Sequence, residues 1–228
     1  VDTGEYRTWF DPAAVSDFIN MFSWNGISEA SIQQGCSGFG KMRHDDVRLS
    51  PHFSVSEDFS AGMVPKFNSN GEVAPSVVSI IKEGELVNTL VSSRTAAEYN
   101  RTTNYAETGE YLRSPKMEPG SLKQEDILKA LDTGLYLSNI HYLNWSDNPG
   151  GRITGLTRYA CFWVKNCEIE GPINTMRFDD TFYKYFGNNL EHVGHDTEFT
   201  PNTSTYGNRE IGGTICPGIL ANSFALTL

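Results

Sequence analysis

The chain has 228 residues, of which 39% are hydrophobic and 12% aromatic, and this is enough to bury a full-sized core. Its 28 acidic and 18 basic residues give a formal net charge of −10 with no offsetting Lys/Arg cluster, which argues against nucleic-acid binding. The apolar runs are far shorter than the roughly 20 residues that cross a bilayer, and no signal-peptide pattern opens the chain, which predicts a soluble protein.

The first predicted helix follows a strand-like run, Tyr6–Phe10, close to the start of the chain. Asp11 is a good N-cap, Pro12 suits the first helical position, and Gly26 is expected to end the helix. The apolar face has the spacing i, i+3, i+4 and i+7 and consists of Val15, Phe18, Ile19 and Phe22. Since the chain begins with Val1 and not with Met, we expect a fragment that starts at a domain boundary.

Two further helices are predicted. The second begins at Ser121, forms a capping box with Gln124, and is closed by Gly134. Its apolar face consists of Ile127, Leu128 and Leu131. The third follows Asp179–Asp180 and places its apolar residues on one side, namely Phe182, Tyr185, Phe186 and Leu190.

Strands and turns account for most of the remaining chain. Between the first two helices we predict strands at 47–49, 52–55, 77–81 and 86–92, with turns at Asn70–Gly71 and Lys82–Glu85. The final segment, 212–228, alternates apolar and polar residues. Hairpins without regular strand–helix alternation favour an antiparallel-rich α+β domain over a doubly wound sheet.

The stretch Gly134–Phe178 predicts three consecutive strands. The first strand leads into the turn Asn148–Gly151, where proline and glycine supply the required backbone angles. Residues 160–165 alternate as a strand before Asn166–Cys167 turns the chain into the third strand. A two-residue loop that begins with Asn is typical of a type I′ hairpin, although Cys stands where Gly is usual.

The histidine clusters are the only candidates for a metal site. His192 and His195 lie three residues apart beside Asp196, but Gly194 favours a turn with solvated imidazoles over a zinc site. The second cluster, for which a solvated loop is again favoured, consists of His44, Asp45, Asp46 and His52. No HExxH or GxSxG motif is present, and Gly38–Lys41 lacks the spacing of a phosphate loop.

The four cysteines, Cys36, Cys161, Cys167 and Cys216, include no CxxC pair. We interpret them as reduced and mostly buried, in a protein of the cytoplasm.

Several blocks together resemble the C-terminal domain of the TldD/PmbA (TldD/TldE) family, the modulators of DNA gyrase. The resemblance spans most of residues 10–228 and rests on the order and spacing of these blocks. The blocks are a turn at 65–71 with a strand at 80–86, a short helix at 94–97, a loop at 102–104, a hairpin at 155–169, and a turn at 193–196. The hairpin departs from the family pattern by Lys165 for Glu and Cys167 for Gly.

The resemblance implies a metallopeptidase-related protein that acts on flexible peptides. The TldD-type subunit carries HExxxH on the first helix and a zinc-binding Cys near its C-terminus. The first helix here has neither His nor Glu, the Cys position falls at Tyr206, and Cys216 lies about ten residues later. These departures resemble the PmbA/TldE-type subunit, which lacks the metal site and pairs with a zinc-bearing partner. Members also carry an N-terminal domain, which is missing here, so residues 1–228 are expected to be the single C-terminal domain.

Two functions from different classes follow as expectations. In the first, the chain is a non-zinc subunit that binds a TldD-like zinc peptidase and an extended peptide, with no catalytic, cofactor-binding or metal residue of its own. In the second, it is a homodimeric peptide-binding or scaffold protein without protease activity. A rearranged metal site at His192, His195 and Asp196 is a weaker alternative.

Overall fold

Alternating apolar residues and tight turns build a mixed α+β fold in residues 1–227, the part of the chain that the computed structural model describes. This part forms eleven strands, namely β1 (Gly4–Phe10), β2 (Val55–Asp58), β3 (Val77–Lys82), β4 (Glu85–Leu86), β5 (Pro115–Met117), β6 (Gly134–Asp147), β7 (Arg152–Lys165), β8 (Glu168–Pro172), β9 (Arg177–Thr181), β10 (Leu190–Pro201) and β11 (Gly213–Leu226). Its α-helices are α1 (Pro12–Met21), α2 (Glu29–Gln33), α3 (Gly40–His44), α4 (Ser93–Tyr99) and α5 (Ile127–Leu131). None of the helices within 1–227 is long and apolar enough to cross a membrane.

Five strands close into a ring. β1 pairs in parallel with β6 and antiparallel with β11, β6 pairs with β7, β7 with β9, and β9 with the end of β11. From β11 the sheet continues through β5, β2, β3 and β4, while β8 pairs with β7 and β10 with β11. Most of these pairings are antiparallel, which confirms the predicted fold class.

The helix α1 begins where the sequence predicts, with Asp11 at the N-cap position, but the Asp11 side chain makes no capping hydrogen bond to the helix. Asp11 has the extended backbone of an N-cap, yet its carboxylate accepts hydrogen bonds from Trp9 Nε1 (2.8 Å) and the Tyr136 hydroxyl (2.6 Å). The helix ends at Met21 and not at Gly26, because the following residues form isolated turns. Asp11 therefore joins the start of α1 to β1 and β6.

The core forms around the apolar face of α1. The ring of Phe18 lies 5.5 Å from that of Phe10 on β1, 5.9 Å from Phe178 on β9 and 6.3 Å from Phe224 on β11. Tyr185 approaches it to 4.5 Å from the segment after β9. Edge-to-face and tilted contacts of this kind add to the free energy gained from burial. The predicted apolar face of the first helix is therefore the centre of the fold.

The second predicted helix starts later than expected. Ser121 does not cap it; a 3₁₀ turn begins at Gln124 and α5 runs over Ile127–Leu131. Asp132, with φ 55°, ends the helix, whereas Gly134 opens β6. A Cβ at Gly134 would lie 2.1 Å from the carbonyl oxygen of Arg7, so glycine is needed for close strand packing and not for a helix cap.

The third predicted helix is confirmed as a short helical segment. It contains a π turn over Lys184–Asn188 and buries Phe182, Tyr185 and Phe186. Leu190, predicted as part of its apolar side, instead begins β10. The helix ends there because the chain enters pairing with β11.

Several predicted strands are wrong or shorter. Residues 47–49 and 52–54 form no strand, because Leu49 N–H bonds to Gly84 O and Ser50 N–H bonds to Phe186 O outside any ladder. Of the strand predicted at 86–92, only Leu86 belongs to β4. The short helix expected at 94–97 from the family resemblance is confirmed by α4, whereas α2 and α3 carry too short a pattern to be predicted from sequence.

The turn between β7 and β8 is confirmed as type I′, since Asn166 has φ 52° and Cys167 has φ 67°. We expect Cys167→Gly to raise the free energy of unfolding by about 0.5–1 kcal/mol, because glycine adopts this left-handed backbone without a Cβ penalty. Chemical denaturation measures the effect. Cys167→Ala keeps the Cβ and serves as the control. Equal stability of the two variants would show that the turn carries no such strain.

Candidate functional site

A surface groove of about 800 Å³ opens beside the C-terminal end of α1. One wall consists of Asn20, Ser23 and Trp24. The others come from residues in segments 107–115 and 200–213, with Val64. Three distant segments and the single residue Val64 therefore meet here, which is the geometry of many ligand sites in proteins.

Hydrogen bonds fix the end of α1 against the other two walls. The Thr214 hydroxyl on β11 lies 3.3 Å from Asn20 Oδ1, to which it donates. Ser23 Oγ accepts a hydrogen bond of 3.0 Å from the backbone N–H of Leu112. The groove is thus built on packed elements and not on the helix end alone.

The buried side chain of Glu57 on β2 is hydrogen-bonded to the backbone of segment 107–115. Its side chain is 3% exposed, and Oε1 accepts from the backbone N–H groups of Arg113 (3.0 Å) and Ser114 (2.7 Å). The Arg113 guanidinium donates to the carbonyl oxygens of Pro65 and Phe67 at 2.8 and 3.1 Å. Burial raises the pKa of the Glu57 carboxyl to about 7, although these N–H groups and the Arg113 charge act in the opposite direction.

This pKa predicts a pH-dependent stability. Between pH 4.5, the ordinary pKa of a glutamate, and about 7, the folded chain binds more protons at Glu57 than the unfolded chain does. Glu57 therefore lowers the free energy of unfolding progressively as pH rises through this window, and the loss is complete above it. We expect the effect of Glu57→Gln on the free energy of unfolding to be more favourable at pH 8 than at pH 4 by about 3 kcal/mol, because the shift from 4.5 to about 7 is lost with the carboxyl group. Glutamine Oε1 can still accept both N–H groups.

Denaturant unfolding at several pH values measures this effect. Glu118→Gln, at an exposed carboxylate just after β5, is the matched control and is expected to leave the profile unchanged. A Glu57→Gln variant with the parent's pH profile would contradict the assignment of a raised pKa to Glu57.

The charged side chains of the groove are hydrogen-bonded to neutral groups of the protein. Glu107 accepts from the backbone N–H of Ser69 at 3.1 Å, and Arg209 donates to the Asn202 carbonyl at 2.7 Å. Glu210 accepts from the Asn202 amide, and Arg113 is bonded to carbonyls as described above. Two acidic and two basic residues line the groove, so their formal charges cancel in a chain of net charge −10.

The predicted histidine cluster lies elsewhere. His192, His195 and Asp196 all lie on β10 and not in the turn that was expected, because β11 pairs with β10 on both sides of the bulge near Gly194. His195 Nδ1 is 3.0 Å from Asp196 Oδ1, with both side chains more than 60% exposed (64% and 62%). None of the three lines the groove.

The other predicted cluster is also on the surface. His44, at the end of α3, and His52, in the turn before β2, are both exposed, as are Asp45 and Asp46. Within residues 1–227, no group of three or more His, Cys, Asp or Glu side chains is arranged to hold a metal ion.

The helix on which the family resemblance places the zinc motif is α1. The partly exposed stripe of α1 consists of Ala13, Asp17 and Asn20. Burial raises the pKa of Asp17 to about 7, against the opposing effects of the Arg158 charge and the Ile140 N–H.

Tyr206, at the position of the family's zinc-binding cysteine, and Cys216 lie in different surroundings. Tyr206 is 96% exposed in the loop between β10 and β11. Cys216 is buried with Sγ 3.1 Å from Pro12 O, and burial raises the pKa of its thiol to about 12. The four cysteines are free, with Cys161 and Cys216 buried and Cys36 and Cys167 partly buried.

Comparison with known proteins places this arrangement in a family. Residues 3–227 match the family model described as the PmbA/TldA metallopeptidase C-terminal domain. The chain belongs to this family. No curated protein matches the chain significantly.

Solved structures share the PmbA/TldA fold at low sequence identity. A protein from Thermotoga maritima named as a modulator of a DNA gyrase matches with a TM-score of 0.80 and 18% identity, over 100% of this chain and 50% of its own. A protein of similar name from Bacteroides thetaiotaomicron matches with a TM-score of 0.79 and 15% identity, over 100% of this chain and 48% of its own. TldE from Thermococcus kodakarensis matches with a TM-score of 0.73 and 15% identity, over 100% of this chain and 51% of its own. The chain therefore spans about half the length of these structures.

Proposed function

We propose that the chain is a PmbA/TldE-like, non-zinc subunit of a two-component metallopeptidase. One observation carries the proposal: α1, which borders the groove of a metallopeptidase-family domain, contains neither His nor Glu. Zinc in a hydrolase needs His, Cys or carboxylate side chains converging on one point. Asp17 is the sole carboxylate of α1, and it does not line the groove.

In this proposal, a TldD-like subunit supplies the zinc, the general base and the hydrolysis. The present chain supplies a dimer surface and one wall of the chamber that encloses an extended peptide. A sheet with short outer strands such as β4 and β8 is compatible with strand addition by such a peptide. The fold shared with TldE and the free cysteines, which suit the reducing cytoplasm, support the same proposal.

The test compares the chain, a TldD-like partner and their mixture. We expect less than stoichiometric zinc and no peptide hydrolysis for the chain alone, and hydrolysis that depends on both proteins in the mixture. Metal analysis and cleavage of a labelled unstructured peptide measure these outcomes. Stoichiometric zinc together with hydrolysis by the chain alone would overturn the proposal.

The double variant His192→Ala, His195→Ala is the matched control for the weaker metal alternative. We expect it to leave both the metal content and the activity of the mixture unchanged. A loss of bound metal in this variant would instead identify β10 as a metal site.

A homodimeric peptide-binding protein without a protease partner is the second candidate, since the groove exists without any metal-binding group in its α1 wall. Light scattering, which measures the oligomeric state, and peptide-binding measurements distinguish this candidate from the two-component peptidase. A stable homodimer that binds peptide but neither binds nor activates a TldD-like protein would favour this alternative.

A further inference from the structure

We propose that the groove binds an extended peptide at an uncharged aromatic or aliphatic side chain, which packs against Trp24, Tyr111 and Ile211. This inference rests on the proposed function and specifies the substrate class that the groove selects. Three features of the groove support it: three exposed apolar side chains, formal charges that cancel, and two amide side chains that each keep one polar group free of hydrogen bonds within the protein.

Three large apolar side chains of the groove are exposed to solvent. Trp24 is 59% exposed, Tyr111 44% and Ile211 57%, and they come from three separate walls. Val64 and Leu112, which also line the groove, are buried. Large apolar side chains that converge on one concavity from separate segments are typical of a ligand-binding surface, whereas isolated ones are not.

The charges of the groove favour a neutral ligand. Glu107, Arg113, Arg209 and Glu210 cancel in formal charge, and each is hydrogen-bonded to groups of the protein itself. A charged ligand side chain would lose hydration in the groove, and a groove residue of opposite sign could bind it only by sharing or giving up the hydrogen bonds that hold that residue to the protein. An uncharged side chain loses no such hydration and gains apolar burial.

Two amide side chains can bind the peptide backbone. Asn20 uses its Oδ1 to accept from Thr214, which leaves its NH₂ group to donate to a peptide carbonyl. Asn208 donates through Nδ2 to the Arg209 carbonyl, which leaves its Oδ1 to accept from a peptide N–H. One donor and one acceptor beside an apolar surface match a peptide segment, which presents both groups at every residue.

The experiment measures binding of four capped pentapeptides, acetyl-Gly-Gly-X-Gly-Gly-amide with X as Phe, Ala, Glu or Lys, to the chain alone by calorimetry. We expect the Phe peptide to bind about tenfold more tightly than the Ala peptide, and the Glu and Lys peptides to bind no better than Ala. Trp24→Ala and Ile211→Ser are expected to weaken binding of the Phe peptide by about tenfold each. Both side chains are more than half exposed, and circular dichroism checks that the variants are folded.

Tyr142→Ala is the matched control, since Tyr142 is 80% exposed on β6 and does not line the groove. It is expected to bind the Phe peptide as the parent does. The inference is wrong if no peptide binds at millimolar concentration, if charged and aromatic peptides bind equally, or if neither groove variant weakens binding. Failure to bind while the two-component mixture still cleaves peptides would overturn this inference alone. Selective binding without cleavage by the mixture would overturn the proposed function and leave this inference standing.

Discussion

Replacement of Phe18 by alanine is expected to lower the free energy of unfolding by about 3–5 kcal/mol, the usual cost of removing a buried phenylalanine ring. Phe18 is fully buried in the middle of α1, and its ring contacts aromatic rings from β1, β9 and β11. Since these strands belong to the closed ring, the resulting cavity would weaken the packing of α1 against several strands at once. Denaturant unfolding measures the loss.

Phe199→Ala is the matched control, because Phe199 is 48% exposed on β10. We expect this variant to change the free energy of unfolding by less than about 0.5 kcal/mol. Phe18→Leu keeps most of the apolar volume, so its loss in the free energy of unfolding is expected to lie between those of Phe18→Ala and Phe199→Ala. A loss below about 1 kcal/mol for Phe18→Ala would mean that the site collapses around the missing ring and that α1 is not the packing centre.

Gly218→Ala is expected to lower the free energy of unfolding by about 2–3 kcal/mol through overpacking. A Cβ at this position of β11 would lie 2.4 Å from Trp9 Cζ2 and 2.6 Å from the carbonyl oxygen of Phe10. The tryptophan ring could shift, but the Phe10 oxygen belongs to the backbone of β1, which is paired with β11 at this point. Relief therefore requires the two strands to separate.

Gly171→Ala in β8 is the control, because a Cβ there meets nothing within 4 Å. It is expected to be neutral or slightly stabilising, since alanine reduces the entropy of the unfolded chain. Thermal unfolding of both variants measures the difference. Equal stability of Gly218→Ala and Gly171→Ala would show that β1 and β11 tolerate a wider separation than their contact implies.

The family and the main elements could be predicted because their patterns are local. The apolar spacing of Val15, Phe18 and Phe22 predicts α1, and Asn166 predicts the type I′ turn even with Cys167 in place of glycine. The order of the blocks then identifies the family, which the family match confirms. Local patterns misled at Ser121 and at residues 47–54, where contacts with distant segments decide the conformation.

The groove could not be predicted from sequence. Trp24, Tyr111 and Ile211 share no common motif, and 87 and 100 positions separate them along the chain. In the sequence Glu57 is an ordinary charged residue of a strand. In the structure it is buried and accepts hydrogen bonds from the backbone N–H groups of residues 113 and 114. Its raised pKa is a consequence of burial, which local sequence does not encode.

The sequence by itself determined the family, the α+β class and the lack of His and Glu in the first helix, because each depends on residue identity or on short-range periodicity. Only the tertiary structure decided that α1 ends at a neutral groove, that the histidines at 192 and 195 lie on an exposed strand away from it, and that Cys216 faces Pro12. Those facts depend on the closure of β1, β6, β7, β9 and β11 around α1. Such closure is a product of long-range packing, which brings together residues that no local pattern connects.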